Sequence, residues 1–202
     1  MTAAPATRAV IFDIGGVLEI CPATGWTAVW EQRLGLPAGE IDRRCADVWE
    51  AGSVGEITEA QVRTRVAAQL SLDLHEVDAL LADLWHEYLG TVNDELVAYV
   101  RSLRARCRLG ILSNSFVGAR ERERELVALV DDTVYSHEIG LNKPDPRAFA
   151  AACASLRARP EECLLVDDHA PNIAAARAFG MHAVLFTGNA AAIAAVEEFL
   201  RP

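Results

Sequence analysis

The chain has 202 residues, 51% of them apolar and 24% charged, which is enough for one sizeable core and excludes the disordered and fibrous classes. A formal net charge of −10 argues against a general nucleic-acid surface or an anionic-membrane surface, because counterion-release binding needs clustered Lys and Arg. Five cysteines at irregular spacing (Cys21, Cys45, Cys107, Cys153 and Cys163), with no C-x-x-C pair, suggest neither a disulfide framework nor a zinc knuckle and read as reduced, mostly buried thiols.

The opening MTAAPATRAV lacks a charged segment followed by a long apolar one, and no window approaches a membrane span, so the chain reads as cytoplasmic. Residues 8–12, RAVIF, form a short β-branched run that ends at Asp13 and meets Gly15 and Gly16, the pattern of a buried strand entering a tight loop. From 20 to 92 only 3.6-residue periodicity is found, as in Trp26, Val29, Trp30 and Leu34, and all four tryptophans fall here, where they read as helix-packing residues. Beyond it, strands at 108–112, 133–135, 162–166 and 182–186 alternate with helices at 94–106, 118–130, 146–157, 171–179 and 190–200. The run RERERE at 120–125 reads as a solvated helix face. Asp145 as N-cap with Pro146 behind it sets a helix start and leaves Lys143 on the loop just ahead. The alternation predicts an α/β fold, a Rossmann-like parallel sheet with helices on both faces. It divides the chain into a core domain, 1–19 and 93–202, and a small all-helical domain, 20–92, inserted after the first strand.

In such sheets ligands bind outside the carboxyl ends of the strands. Asp13, Ser113, Asp167 and Asp168 stand at those ends, and Lys143 lies on a loop within reach of the same edge. Three carboxylates, a hydroxyl and an ammonium suit a phosphoryl group together with a divalent metal. Hard carboxylate oxygens hold Mg²⁺, while Lys, hydroxyl and loop N–H groups neutralise phosphate oxygens. Glycines at 15 and 16 let loop amides approach those oxygens where a Cβ would crowd them.

FDIGGVL, ILSNS, GLNKPDP and LLVDDHAPNIAAARAFGM, in that order, resemble the four motifs of the haloacid dehalogenase superfamily of Asp-nucleophile hydrolases. The resemblance spans the α/β part of the chain, and the helical insertion resembles that family's cap. It implies Asp13 as the nucleophile that forms an aspartyl-phosphate, and Ser113, with the amide of Asn114, as ligands of the transferring phosphoryl group. Lys143 would offset charge on both Asp13 and the phosphoryl oxygens. Substrate-binding residues are then Gly15, Gly16, Ser113, Asn114 and Lys143. Mg²⁺ would be held by Asp13, the Gly15 carbonyl and Asp168, with Asp167 as a second, water-mediated ligand and Asn172 orienting the acidic loop.

At one position the chain departs from the family. Most phosphatases of this superfamily carry an aspartate two residues after the nucleophile, serving as general acid and then as base, and this chain has Gly15. His169 and Glu19 are the sequence neighbours to examine as substitute proton carriers. The expected activity is a Mg²⁺-dependent phosphatase for small phosphorylated metabolites, sugar phosphates among them, acting as a monomer or homodimer with no nucleic-acid or membrane partner. The alternatives are a phosphate-binding protein without turnover and a metal-independent haloacid dehalogenase. Dehalogenases of the family usually carry a bulky aromatic at the position of Gly15 and lack the adjacent acidic pair.

Overall fold

A computed structural model of the chain describes residues 8–201. Residues 1–7, assigned above to the core part and read as free of a targeting signal, lie outside the described residues, as does Pro202. Strand β1 (Ala9–Phe12) has every residue buried and leads through the glycine loop to a two-residue strand, β2 (Glu19–Ile20). Four helices follow, α1 (Trp26–Leu34), α2 (Glu40–Ser53), α3 (Glu59–Leu70) and α4 (Leu74–Leu89). The chain returns through β3 (Thr91–Val92), antiparallel to β2, into α5 (Asp94–Leu103) and β4 (Arg108–Ser113). Two single turns, α6 (Ala119–Arg122) and α7 (Arg124–Val127), precede β5 (Asp132–Tyr135), α8 (Ser136–Ile139) and α9 (Pro146–Ser155). The chain closes with β6 (Cys163–Asp167), α10 (Ala170–Phe179), β7 (His182–Leu185) and α11 (Asn189–Phe199).

The main sheet is parallel with order β5-β4-β1-β6-β7. Because both faces of a parallel sheet are covered, its central strands are apolar except at their ends and alternate between two cores. Val10, Phe12, Leu109, Ile111, Leu164 and Val166 pack on one face with α5 and α11 residues such as Leu96, Val100 and Val196. Ala9, Ile11, Leu112, Cys163 and Leu165 pack on the other with Ala148, Phe149 and Ala152 of α9 and Ala176 of α10. Burying each of the larger side chains contributes roughly 1.5–3 kcal/mol, so the middle of the sheet is the most strongly held part of the chain. Helices α1–α4 share a separate apolar cluster that includes Trp30, Ile41, Val48, Val66, Val77 and Leu80.

The capping chemistry follows the sequence. The Asp145 carboxylate accepts a hydrogen bond from the Arg147 amide at 2.8 Å, with Pro146 in the first helical turn. Thr58 and Asp73 start α3 and α4 through capping boxes with Gln61 and Glu76. Two details differ from expectation. The segment from 20 onward is not wholly helical, since Ile20 and Thr91 pair across the two-residue ribbon where chain leaves and re-enters the sheet layer. The helix expected over 118–130 breaks at Glu123 (φ −100°, ψ 23°), whose side chain turns inward instead of joining a solvated face. Among the described residues no helix is long and apolar enough to cross a membrane, and all five cysteines are free.

Candidate active site

Strand register brings the predicted residues level. Phe12 lies opposite Ile111 on one side and Val166 on the other, so Asp13, Ser113 and Asp167 leave three adjacent strands at the same edge. The Asp13 amide continues the ladder by donating to the Val166 carbonyl at 2.9 Å.

Lys143 is the centre of the charge arrangement. Its side chain has no exposed surface, and its Nζ lies 2.9 Å from Asp13 Oδ2 and 2.6 Å from Asp167 Oδ2. Asn114 holds the lysine's backbone at both ends, accepting from the Lys143 amide at 2.6 Å and donating to the Lys143 carbonyl at 2.9 Å. Asp13 Oδ1 accepts from the Ile14 amide at 2.8 Å. Asp167 accepts from the His169 amide at 2.8 Å, and Asn172 Nδ2 lies 3.1 Å from each Asp167 oxygen. A fully buried carboxylate is tolerable only with this number of donors. Burial pushes the Asp13 carboxyl up to about 7, with Lys143 pulling it back and Asp167 adding to the rise. Desolvation works to lower the Lys143 pKa, but its two carboxylate neighbours outweigh it and hold the ammonium above its ordinary value.

Asp13, Asp167 and Asp168 each offer an oxygen, all within 4.8 Å of one another. The two glycines of the loop have different reasons to be there. Gly16 has φ +73°, and a Cβ on it would fall 2.0 Å from Asp168 Oδ2, so this position must stay bare for Asp168 to point at the cluster. Gly15 is not crowded. A Cβ there would meet only Cys21 Sγ at 3.8 Å, an ordinary contact, so steric need does not explain the glycine.

Beside this cluster a cavity of about 460 Å³ opens between the sheet edge and helices α1, α2 and α4. Of the residues read from the sequence, Gly15, Ser113 and Asn114 border it, whereas Asp13, Gly16, Lys143, Asp167 and Asp168 do not. Ser113 Oγ has only a marginal contact, 3.5 Å to the Asn114 carbonyl, which leaves the hydroxyl free for a ligand. The outer wall is aromatic, formed by Trp26, Trp49, Tyr88 and Phe116. The tryptophans thus divide. Trp30 and Trp85 are packing residues, while Trp26 and Trp49 face the cavity.

Three residues of the region behave differently from expectation. His169 and its side chain stand exposed at the start of α10, and His169 does not border the cavity. Glu19 is 5% exposed, and burial together with the charge of Glu123 pushes its carboxyl up to about 8, but it does not border the cavity either. Glu123 does border it. The sequence contains a signal for this residue, because Ala119, Glu123, Leu126 and Val130 recur at helical spacing and all four are buried.

The family model for haloacid dehalogenase-like hydrolases matches residues 7–180. The chain is 33% identical over 192 residues to Phosphatase MT3486 of Mycobacterium tuberculosis, covering 88% of this chain and 86% of that protein. It is 32% identical over 178 residues to (S)-2-haloacid dehalogenase 1 of Pseudomonas sp. (strain CBS-3), covering 85% of this chain and 73% of that one. Some longer relatives are matched over only 19% to 39% of their length. In fold it is similar to a HAD-like family hydrolase from Porphyromonas gingivalis, with TM-score 0.78, 24% identity and coverage of 97% and 98% of the two chains. It is also similar to a HAD family enzyme from Bacteroides thetaiotaomicron solved with magnesium and inorganic phosphate, with TM-score 0.72, 17% identity and coverage of 89% and 94%.

Proposed function

Because this chain belongs to the haloacid dehalogenase-like hydrolases, we propose that it is a Mg²⁺-dependent phosphatase of small phosphorylated metabolites, sugar phosphates among them, working through an aspartyl-phosphate on Asp13. The observation that carries this reading is the bridge of Lys143 between Asp13 and Asp167, with Asp168 completing an oxygen cluster at the strand ends. A carboxylate attacking a phosphate dianion faces repulsion, and an ammonium at 2.9 Å reduces it at the attacking group itself.

The donor set fits Mg²⁺, a hard ion that takes carboxylate oxygens and keeps several waters. Asp168 is the freer carboxylate, facing the bare Cα of Gly16, and would bind directly along with Asp13 and the Gly15 carbonyl. Both oxygens of Asp167 already accept hydrogen bonds, which favours a water-mediated contact for it. The ion, when bound, supplies charge neutralisation for the phosphoryl oxygens. Ser113 and the Asn114 amide would hold the transferred group, and the Ile14 amide orients the nucleophile through Asp13 Oδ1. Residues 20–92 act in this reading as a cap, whose Trp26, Trp49 and Tyr88 receive the leaving group.

The dehalogenase alternative has a relative in its favour, yet three clustered carboxylates are of little use to a reaction at carbon without a metal. The test is phosphate release from 4-nitrophenyl phosphate and a metabolite panel with and without Mg²⁺. Release that needs Mg²⁺ and disappears in Asp13→Asn is the expected result. Halide release from a 2-haloacid without metal would replace this reading with the dehalogenase, and phosphate binding without hydrolysis of any panel member would replace it with the non-catalytic one.

A further inference from the structure

Gly15 leaves the leaving-group oxygen without the usual proton donor, and the cavity wall contains a carboxyl group that nothing else employs. Glu123 sits at the break between α6 and α7 and is 2% exposed. Its Oε2 accepts from the Tyr135 hydroxyl at 2.5 Å, while Oε1, among the described residues, has no partner. A buried carboxyl oxygen without a partner is costly and calls for an explanation. Here the same side chain borders the cavity that Gly15 and Ser113 also border. The helical spacing it shares with Ala119 and Leu126 turns it inward, and the Tyr135 bond fixes its orientation.

We infer that Glu123 is the proton carrier of the reaction, the general acid for the leaving group and then the base for water, an inference that rests on the phosphatase reading above. An Asp13 oxygen forms a bond to phosphorus, the bond from phosphorus to the ester oxygen breaks, and that oxygen leaves with the electron pair and takes the Glu123 proton as an alcohol. Water then attacks the aspartyl-phosphate, gives its proton to the Glu123 carboxylate, and releases hydrogen phosphate and the Asp13 carboxylate. Both groups are thereby returned to their starting states.

The titratable groups coupled to Glu123 by charge are Asp13 at the end of β1, Glu19 of β2 and Tyr88 of α4, and Tyr135 of β5 hydrogen-bonds to it. Burial raises the Glu123 carboxyl, the Tyr135 hydrogen bond lowers it and the charge of Asp13 raises it again, to about 7. A general acid performs best with its pKa near the working pH. Tyr88 and Tyr135 both have hydroxyls raised by burial and by the Glu123 charge, so they stay protonated and do not compete for the role.

The experiment compares kcat/KM of wild type, Asp13→Asn and Glu123→Gln on two esters, 4-nitrophenyl phosphate and 2-phenylethyl phosphate, in Mg²⁺. This ratio reports the steps through leaving-group departure, and the phenylethyl alkoxide needs a proton while nitrophenolate does not. E123Q is expected to lose on the order of 10²- to 10⁴-fold on the alkyl ester and less than about tenfold on the aryl ester. The aryl ester should also show a burst of nitrophenolate as dephosphorylation slows. Wild-type activity on the alkyl ester should fall above about pH 7, a limb missing in E123Q. Equal changes on both esters, or none, overturn the assignment of Glu123 alone. If the wild type hydrolyses neither ester, or Asp13→Asn hydrolyses both, the phosphatase reading itself has failed. Should E123Q not fold, Tyr135→Phe carries the test. Losing the hydroxyl that favours the ionised carboxylate must move the wild-type basic limb to higher pH, and an unmoved limb overturns the assignment.

Discussion

Glu123→Gln should make the protein more stable at alkaline pH, and the amount follows from the burial of the carboxyl. Its pKa rises from an ordinary 4.5 to about 7 on folding, burial being the main cause. Between these values the unfolded chain releases the proton while the folded chain retains it, so stability falls as pH rises through this window and levels off above it. At about 1.4 kcal/mol per pH unit the accumulated loss is about 3 kcal/mol. Glutamine is isosteric, does not titrate, and offers its carbonyl oxygen to the Tyr135 hydroxyl, so E123Q avoids the loss without losing the hydrogen bond. Near pH 4.5 the two proteins should be equally stable, and by pH 8 the variant should lead by about 3 kcal/mol, or roughly 6–12 °C in Tm for a chain of this size. The charge of Glu123 also raises Glu19, so its removal lowers that neighbour's pKa and adds to the gain instead of leaving it independent. Urea unfolding followed by circular dichroism from pH 4.5 to 8.5 measures the difference. Parallel stability curves for the two proteins across that range would refute the claim that folding forces a neutral acid into this position.

Other consequences concern the charge cluster and the loop. Lys143→Met removes the only counter-charge, among the described residues, within 3 Å of Asp13 and Asp167, and should cost about 3–5 kcal/mol at pH 7, because one partner of a buried ion pair is lost and the other is left. With the ammonium gone the Asp13 carboxyl loses the group that pulls its pKa down, so the deficit should shrink as pH falls; a constant deficit measured by urea titration from pH 8 to 4 would exclude this account. Gly16→Ala should destabilise by about 1–2 kcal/mol, through the left-handed φ and the displacement of Asp168, and should raise the Mg²⁺ concentration needed for half-maximal turnover. Gly15→Ala should leave stability within about 0.5 kcal/mol, since a methyl group meets only Cys21 Sγ at 3.8 Å. Thermal unfolding of the two alanine variants side by side, with equal losses, would contradict the distinction drawn between these glycines.

The parts of the fold that could be read from the sequence are those where one local signal suffices. Uninterrupted apolar runs ending in a polar residue mark β1, β4 and β6 because a parallel sheet is dry on both faces, and the Asp145-Pro146 pair marks the start of α9 because capping is local. Lys143 could be placed near the strand edge for the same reason, although its burial between two carboxylates could not. The ribbon of β2 and β3 was not legible, since two-residue strands so far apart in the chain, Glu19 pairing with Val92 and Ile20 with Thr91, leave no periodicity. The division of the tryptophans was not legible either, because Trp26 and Trp30 share a helix and only tertiary packing decides that one meets Asp83 through its indole N–H while the other lines the cavity. Glu123 is the instructive failure. Its run of alternating charges matches a solvated helix face, and only the spacing of Ala119, Leu126 and Val130 shows that one glutamate of the run shares the buried stripe.

The position of Glu123 also changes what Gly15 means in the proposed mechanism. If Gly15 were required by the backbone, the lost aspartate would be a steric concession and the rest of the site would have no need to compensate. The absence of a positive φ there, and of any contact closer than 3.8 Å, removes that reason. The Glu123 carboxyl instead borders the same cavity as Gly15, almost wholly buried against a tyrosine hydroxyl and close enough to Asp13 to feel its charge. In the proposed mechanism a proton donor at position 123 is positioned independently of the glycine loop, which is then left with two tasks, presenting backbone groups to the phosphoryl side and leaving room for Asp168. Separating these tasks has a cost in stability at alkaline pH, the cost that the glutamine variant at position 123 measures.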